Sequence, residues 1–211
     1  MQVGTHYVDH IVYAVPDLEA ATKDLSERLG VRPTFGGYHR DQGTKNALLN
    51  VGEGCYLEVI AADVENETIS SPRWMGVDLI TTARITRWSL KSQDLIAEAA
   101  TLRAYDAGMG VIHGGQRQTA AGDQLAWQMT LPLAAPVVEI APFITAWGAA
   151  SVHPTASLAQ ACHLRQIVFT HPTPERVAHL FRQLGVTNPV QKHSLASIRI
   201  LLETSKGMVW L

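Results

Sequence analysis

Cysteine is scarce: only Cys55 and Cys162 occur in 211 residues, far apart and outside any CxxC or Cys/His cluster. Two isolated thiols suit a reducing compartment, so the cytoplasm is the expected location and Cys55 reads as a core residue. Charge is scarce as well. Charged residues make up 17% of the chain and the formal net charge is −2, which leaves no electrostatic footprint for a phosphate backbone and excludes nucleic acid as a first partner class. No apolar run approaches the ~18 residues of a membrane span, and Met1 to Asp9 show neither a basic n-region nor an apolar h-region, so a soluble, unexported protein without a membrane partner is expected. Low-complexity sequence is also missing. What is abundant is apolar side chain, 46% of the chain, enough for one large domain or for two small modules sharing a sheet.

A strand, a turn and a helix recur at a spacing of about 78 residues. The copies begin at VDHIVYAVPDLEAATKDL (from Val8), ITRWSLKSQDLIAEAATL (from Ile85) and LRQIVFTHPTPERVAHLF (from Leu164). Asp17 and Asp94 are placed to cap first turns, and Gly30, Gly108 and Gly185 to take left-handed C-terminal positions. Leu18, Ala21, Leu25 and Leu29 line one face of the first helix, and Val177, Leu180, Phe181 and Leu184 one face of the third. After each helix come strands with tight turns: NALLNVGEGCYLEVIA, then QLAWQMTL with VVEIAPFITAW around a Pro132–Pro136 turn, then SIRILLETSKGMVWL. The pattern predicts an α+β sheet with helices on one face. It divides into a first module (1–62), a linker (63–83), a second module (84–147), a linker (148–162) and a third, partial module (163–211).

Side-chain alternation then sets the chemistry. Val8, His10, Val12 and Ala14 share one face of the first strand, and Ile11, Tyr13 and Val15 the other. In YLEVIA, Leu57 and Val59 favour the helix side, leaving Tyr56, Glu58 and Ile60 on the face of His10. Imidazole and carboxylate are both ligands for Zn²⁺, Mn²⁺, Fe²⁺ or Ni²⁺, and the same two groups also suit a hydrogen-bonded pair without metal. The loop from Gly36 to Asn46 concentrates glycines with His39, Arg40, Thr44 and Asn46, as a polar lid or an ordinary connection. Its Gly43-Thr44-Lys45 order is not that of a Walker A loop. The matching stretch of the second copy offers Gln116, Arg117 and Trp127, with Arg117 either holding a carboxylate or simply solvated.

VDHIVYAVPDL, GGYHRDQGTKNALLNVG and YLEVIA resemble the opening of glyoxalase-like proteins of the vicinal oxygen chelate superfamily, and QRQTAAGDQLAW, APFITAW and His153-Pro154 resemble their second half. The resemblance implies a cupped mixed sheet of paired βαβββ modules, with a His on a module's first strand and a Glu on its fourth as metal ligands. Those positions are His10 and Glu58. The matching first-strand residue is Arg87 in the second copy and Gln166 in the third. For the carboxylate, aligning VEIA with LEVIA nominates Glu139, whereas aligning through APFITAW nominates Thr145; in the third copy the match is Leu211.

The expected metal set is therefore His10, Glu58 and Glu139 around a divalent Zn, Mn, Fe or Ni ion. His39 and Glu58 are the expected catalytic acid or base residues, and Thr44, Asn46, Tyr56, Arg117 and Trp127 the substrate contacts. His113 and His153 are weaker candidates. Two functions follow: a small-molecule enzyme of lyase, isomerase or dioxygenase type in which a metal chelates vicinal oxygens of the substrate, or a metal-free small-molecule binding or resistance-type protein using the same cup. The third copy also suits a homodimer surface.

Overall fold

The computed structural model describes residues 8–118 and 124–211, with the side chains of residues 117 and 118 left out. The first module runs β1 (Val8–Ala14), α1 (Leu18–Leu29), β2 (Thr34–His39), β3 (Thr44–Gly52) and β4 (Cys55–Ala62). The second runs β5 (Arg84–Lys91), α2 (Leu95–Tyr105), β6 (Ile112–Gln118), β7 (Gln124–Thr130) and β8 (Phe143–Trp147). All eight strands share one mixed sheet of order β2-β3-β4-β1-β5-β8-β7-β6. The order reads the same for both modules outward from β1 and β5, which pair antiparallel, while β1 runs parallel to β4 and β5 to β8. The sheet curls far enough to bring its two end strands, β2 and β6, into contact. The fold is thus an α+β cup built from paired βαβββ modules.

Local chemistry explains the helix ends. The Asp17 carboxylate accepts the Ala20 N–H at 2.8 Å, and Gly30 closes α1 in the left-handed region at φ 75°. Asp94 caps α2 in the same way through the Ala97 N–H at 3.1 Å. That helix ends on extended Asp106 rather than at Gly108, and the left-handed glycine downstream is Gly110. The expected long strand over VVEIAPFITAW shortens to Phe143–Trp147. Pro142 has no N–H for a ladder, and the residues before it are held by side chains instead.

Both predicted linkers are working parts of the fold. Within 63–83, a 3-10 segment at Trp74–Leu79 sends Met75 and Val77 into a buried cluster with Val12, Ala14, Ile60 and Phe143. This cluster fills part of the concave face. Within 148–162, a 3-10 turn at Pro154–Ala156 is tied to β3 by Asn50, whose Nδ2 donates to the carbonyls of Thr155 (3.2 Å) and Leu158 (3.0 Å).

The C-terminal unit has β9 (His163–His171), α3 (Pro174–Gln183), β10 (Val190–Lys192), β11 (Ser197–Thr204) and β12 (Gly207–Trp210). It shares the strand–helix opening of the two modules but forms its own sheet, in the order β10-β9-β11-β12. Its first strand pairs with β10 and β11, not with the last strand as in the other modules. Phe169, Phe181, Ile198 and Ile200 join Ile11, Leu57, Trp88 and Leu90 in the large core behind the cup, together with Leu25 and Leu29 of α1. The convex face is therefore covered, and the concave face is where chemistry is accessible.

Candidate functional site

Strand β1 starts the site with an irregularity. Val8 pairs with Leu90 and His10 with Ser89, so the ladder to β5 skips a step at Asp9. A bulge of this kind re-aims side chains, and here Asp9 and its neighbour His10 meet: Asp9 Oδ1 lies 2.7 Å from His10 Nδ1. The other oxygen, Oδ2, accepts the Trp147 indole N–H at 2.9 Å and stands 3.3 Å from His153 Nε2. Asp9 is fully buried. Burial alone would raise its pKa, but the hydrogen bonds and positive potential of His10 and His153 outweigh it and hold the carboxyl well below the usual carboxylate range. An ionised Asp9 fixes the proton of His10 on Nδ1 and leaves Nε2 as the ring's lone-pair face.

That face looks toward Glu58, with Nε2 3.7 Å from Glu58 Oε2, beyond hydrogen-bond reach. Glu58 Oε1 accepts Asn46 Nδ2–H at 2.6 Å. The imidazole itself is clamped between rings, stacked on Tyr56 at 4.7 Å and edge-on to Phe143 at 5.1 Å. On the far wall His39 is buried, with Nδ1 3.0 Å from Thr44 Oγ1 and its ring edge-on to Trp74.

Two polar atoms here are buried without a partner among the described residues: Asn46 Oδ1 and the Trp74 indole nitrogen. Asn46 can lie as it does because residue 36 is glycine, since a Cβ there would stand 2.4 Å from Asn46 Oδ1.

These groups surround one small cavity of about 30 Å³, room for about one or two water molecules. Of the residues expected from sequence, His10, His39, Asn46, Tyr56, Glu58 and Trp127 line it. Thr44 sits behind His39, and the side chain of Arg117 lies outside the described residues.

Glu139 is not brought to the pocket. It lies on the loop before β8, where its backbone N–H bonds Thr86 O at 2.9 Å and its carboxylate accepts the Ala141 N–H at 3.1 Å. Thr145 takes the pocket position, two residues beyond Phe143 in a strand that pairs with β5 as β4 pairs with β1. Its hydroxyl is 2.7 Å from that of Ser89, so the second module offers a hydroxyl pair where the first offers imidazole and carboxylate. Arg87 is turned onto the same loop, donating to the carbonyls of Leu133, Ala135 and Val137. Burial pushes its guanidinium down to about 10, with Glu139 pulling the other way, so it is a cation at neutral pH and no ligand.

This decides the fit of a chelated ion. His10 Nε2 and Glu58 Oε2 face one point, but Asp9 is spent on Nδ1, Thr145 on Ser89, and Glu139 lies on another loop. Among the described residues no three His, Cys, Asp or Glu side chains converge, and structural or catalytic Zn, Mn, Fe or Ni sites need at least that many. The donor set present does not fit the ion that the family resemblance implies.

Sequence reasoning missed Asp9, Trp74 and Trp147 and ranked His153 low. The signal was the adjacency of Asp9 and His10, which strict alternation assigns to opposite faces. Only the bulge brings them together.

Comparison with known proteins agrees with this architecture. Residues 8–185 match the model of the glyoxalase-like domain. A hypothetical protein from Staphylococcus aureus, 14% identical, superposes with a TM-score of 0.67 over 90% of this chain and 87% of its own. Shorter matches include methylmalonyl-CoA epimerase from Mycobacterium tuberculosis, 21% identical over 67% of this chain and 86% of that one at a TM-score of 0.41. A single-residue variant of the Streptomyces coelicolor methylmalonyl-CoA epimerase, in complex with 2-nitronate-propionyl-CoA, is 19% identical over 68% of this chain and 98% of that one, at 0.43. No curated protein sequence matches. With a family model spanning most of its length on a cup of paired βαβββ modules, the chain belongs to the glyoxalase-like domain family of the vicinal oxygen chelate superfamily.

Proposed function

We propose that this protein is a small-molecule enzyme that moves a proton on the carbon next to a carbonyl group, with Glu58 as the base. The observation that carries this reading is the buried series Asp9, His10, Glu58, in which a 3.7 Å gap separates Nε2 from Oε2. Glu58 accepts the C–H proton, the electron pair moves onto the carbonyl oxygen as an enolate, and the proton passes on to His10 Nε2 once the 3.7 Å gap closes to hydrogen-bond length, as catalytic contacts do when substrate binds. Asp9 stabilises the imidazolium so formed, as a carboxylate behind a catalytic histidine does in general. The Trp74 N–H, without a partner among the described residues, offers a donor for the enolate oxygen. His39 is a second imidazole on the same wall, able to return a proton.

Exchange in D₂O tests this. Small 2-oxo compounds, pyruvamide first, are incubated with protein and their α-protons followed by ¹H NMR. Glu58→Gln is expected to slow exchange at least 100-fold, the lower range for loss of a general base, and His10→Gln to slow it comparably. A Glu58→Gln protein that exchanges at the full rate, or a wild type that catalyses no exchange across the series, sinks the reading.

A metal-free binding protein is the second reading, favoured by the aromatic walls of Tyr56, Trp127, Phe143 and Trp147. It expects ligand-induced thermal shifts that persist in excess EDTA without any exchange.

A further inference from the structure

We propose that His153 is a positioning residue for the proton transfer: by donating its Nε2–H to Asp9 it holds that carboxylate on His10, which makes the linker 148–162 part of the site. The proposal rests on the proton-transfer reading of the pocket. One contact settles the tautomer. The backbone N–H of Thr155 donates to His153 Nδ1 at 3.3 Å. A backbone N–H can only donate, so Nδ1 accepts and the neutral ring carries its proton on Nε2. That nitrogen stands 3.3 Å from Asp9 Oδ2, and Asp9, as an ionised carboxylate, can only accept.

Asp9 needs this second hold, because a carboxylate turns easily about its terminal bond. One donor on Oδ2 fixes a distance and leaves a rotation. Two donors from different segments, Trp147 of β8 and His153 of the linker, define the carboxylate plane and keep Oδ1 at 2.7 Å from His10 Nδ1. His153 is also the outermost member of the series, with 22% of its side chain exposed against 0% for Asp9 and 6% for His10. Its ring lies 5.6 Å from that of Tyr56 and 5.4 Å from that of Trp147, edge-on to both. These rings screen the Asp9–His10 bond from water, and a screened hydrogen bond is electrostatically stronger.

The linker is built to place this imidazole. His153 caps the 3-10 turn Pro154–Ala156 through Nδ1, and Asn50 of β3 fastens the turn to the sheet through the carbonyls of Thr155 and Leu158. Asn50 is itself oriented by the Gly52 N–H, which donates to its Oδ1 at 2.9 Å, and it sits opposite Tyr56 in the β3–β4 ladder. The two ring nitrogens of His153 therefore have separate roles: Nδ1 holds the turn and Nε2 holds Asp9.

Two substitutions divide those roles. In His153→Asn the amide oxygen replaces Nδ1 and keeps the cap, but the shorter side chain no longer reaches Asp9. In His153→Gln the amide nitrogen replaces Nε2 and keeps the donor, while the cap is lost. His153→Asn is expected to melt within about 2 °C of the wild type and to slow α-proton exchange of pyruvamide in D₂O about tenfold or more, the worth of one hydrogen bond to a charged group. His153→Gln is expected to melt lower and yet to restore exchange to within about threefold of the wild type. A merely structural role gives the opposite ranking, with exchange following the melting temperature. The Nδ1–H of His10, observed by ¹H–¹⁵N NMR of histidine-labelled protein, reads the same effect without turnover. Its proton is expected to be protected from water in the wild type and in His153→Gln, and to be lost to rapid solvent exchange in His153→Asn. Full pyruvamide exchange in His153→Asn, or a His10 signal alike in the two variants, overturns the positioning role. If the wild type exchanges no pyruvamide protons but the His10 signal keeps the expected pattern, the proton-transfer reading fails and the positioning role stands. Exchange that needs Glu58 but not His153 does the reverse.

Discussion

A fully buried carboxylate is costly unless it is ionised against good donors, and Asp9 has three, on His10, Trp147 and His153. Its pKa is lowered in the folded state, so the stability it contributes is fully present above the unfolded-chain value, near 4. That stability is lost as the pH falls from there toward the folded value. Asp9→Asn is therefore expected to cost about 1–3 kcal/mol at pH 7 and to flatten the acid limb of stability against pH below about pH 4. Urea melts across pH 2.5–7 measure both, and an unchanged acid limb would count against the assignment.

Thr145 makes a complementary point. The pocket has an imidazole and one carboxylate, with a hydroxyl where the family resemblance expects a further ligand. Thr145→Glu places a third ligating group beside His10 and Glu58, and the variant is expected to bind Zn²⁺ at least 100-fold more tightly than the wild type in calorimetry, since affinity follows ligand count and charge. Equal affinities would show that these positions do not converge. At this scale His10 and Glu58 were legible because alternation governs most of β1 and β4, and Glu139 misled because VEIA resembles LEVIA in letters while Pro142 and the Arg87 clamp keep it out of a strand.

At the scale of elements, capping and glycine chemistry made the helices readable: Asp17, Gly30 and Asp94 act as their types require. Irregular segments were unreadable for a physical reason. Trp74–Leu79 has no period to detect, since Met75 and Gly76 both take positive φ, and its place on the concave face depends on partners from four strands. Strand β2 shows how an element tunes the site from outside it. A bulge between Phe35 and Gly37 sets its register on β3 and lays Gly36 against Asn46. Gly36→Ala drives a methyl into the Asn46 amide and against Leu48, so Asn46 must move and release Glu58 Oε1. We expect a loss of about 1–3 kcal/mol from overpacking and a fall in α-proton exchange larger than the melting shift explains. Asn46→Asp, which removes the same donor without crowding, should share the second effect; full exchange in both would detach Asn46 from Glu58.

For the whole molecule, the C-terminal unit raises the question of whether it is an appended domain or part of one cooperative fold. Its separate sheet argues for the first and its core for the second. Trp88, on the central strand β5, is 1% exposed, donates its indole N–H to Ile140 O at 2.7 Å, and packs on Phe169 at 4.8 Å and Phe181 at 5.5 Å. One side chain thus joins the floor of the cup, the loop before β8 and both β9 and α3. A core shared in this way couples the two sheets more strongly than a polar domain interface would. Phe169→Ala removes only the C-terminal side of the contact, yet it is expected to cost about 3–5 kcal/mol and to lower one unfolding transition for the whole chain. Far-ultraviolet circular dichroism and Trp fluorescence should keep a common midpoint. If Phe169→Ala instead produces two transitions, with the later one at the wild-type temperature, then the cup and its pocket stand alone and the C-terminal unit is an independent module.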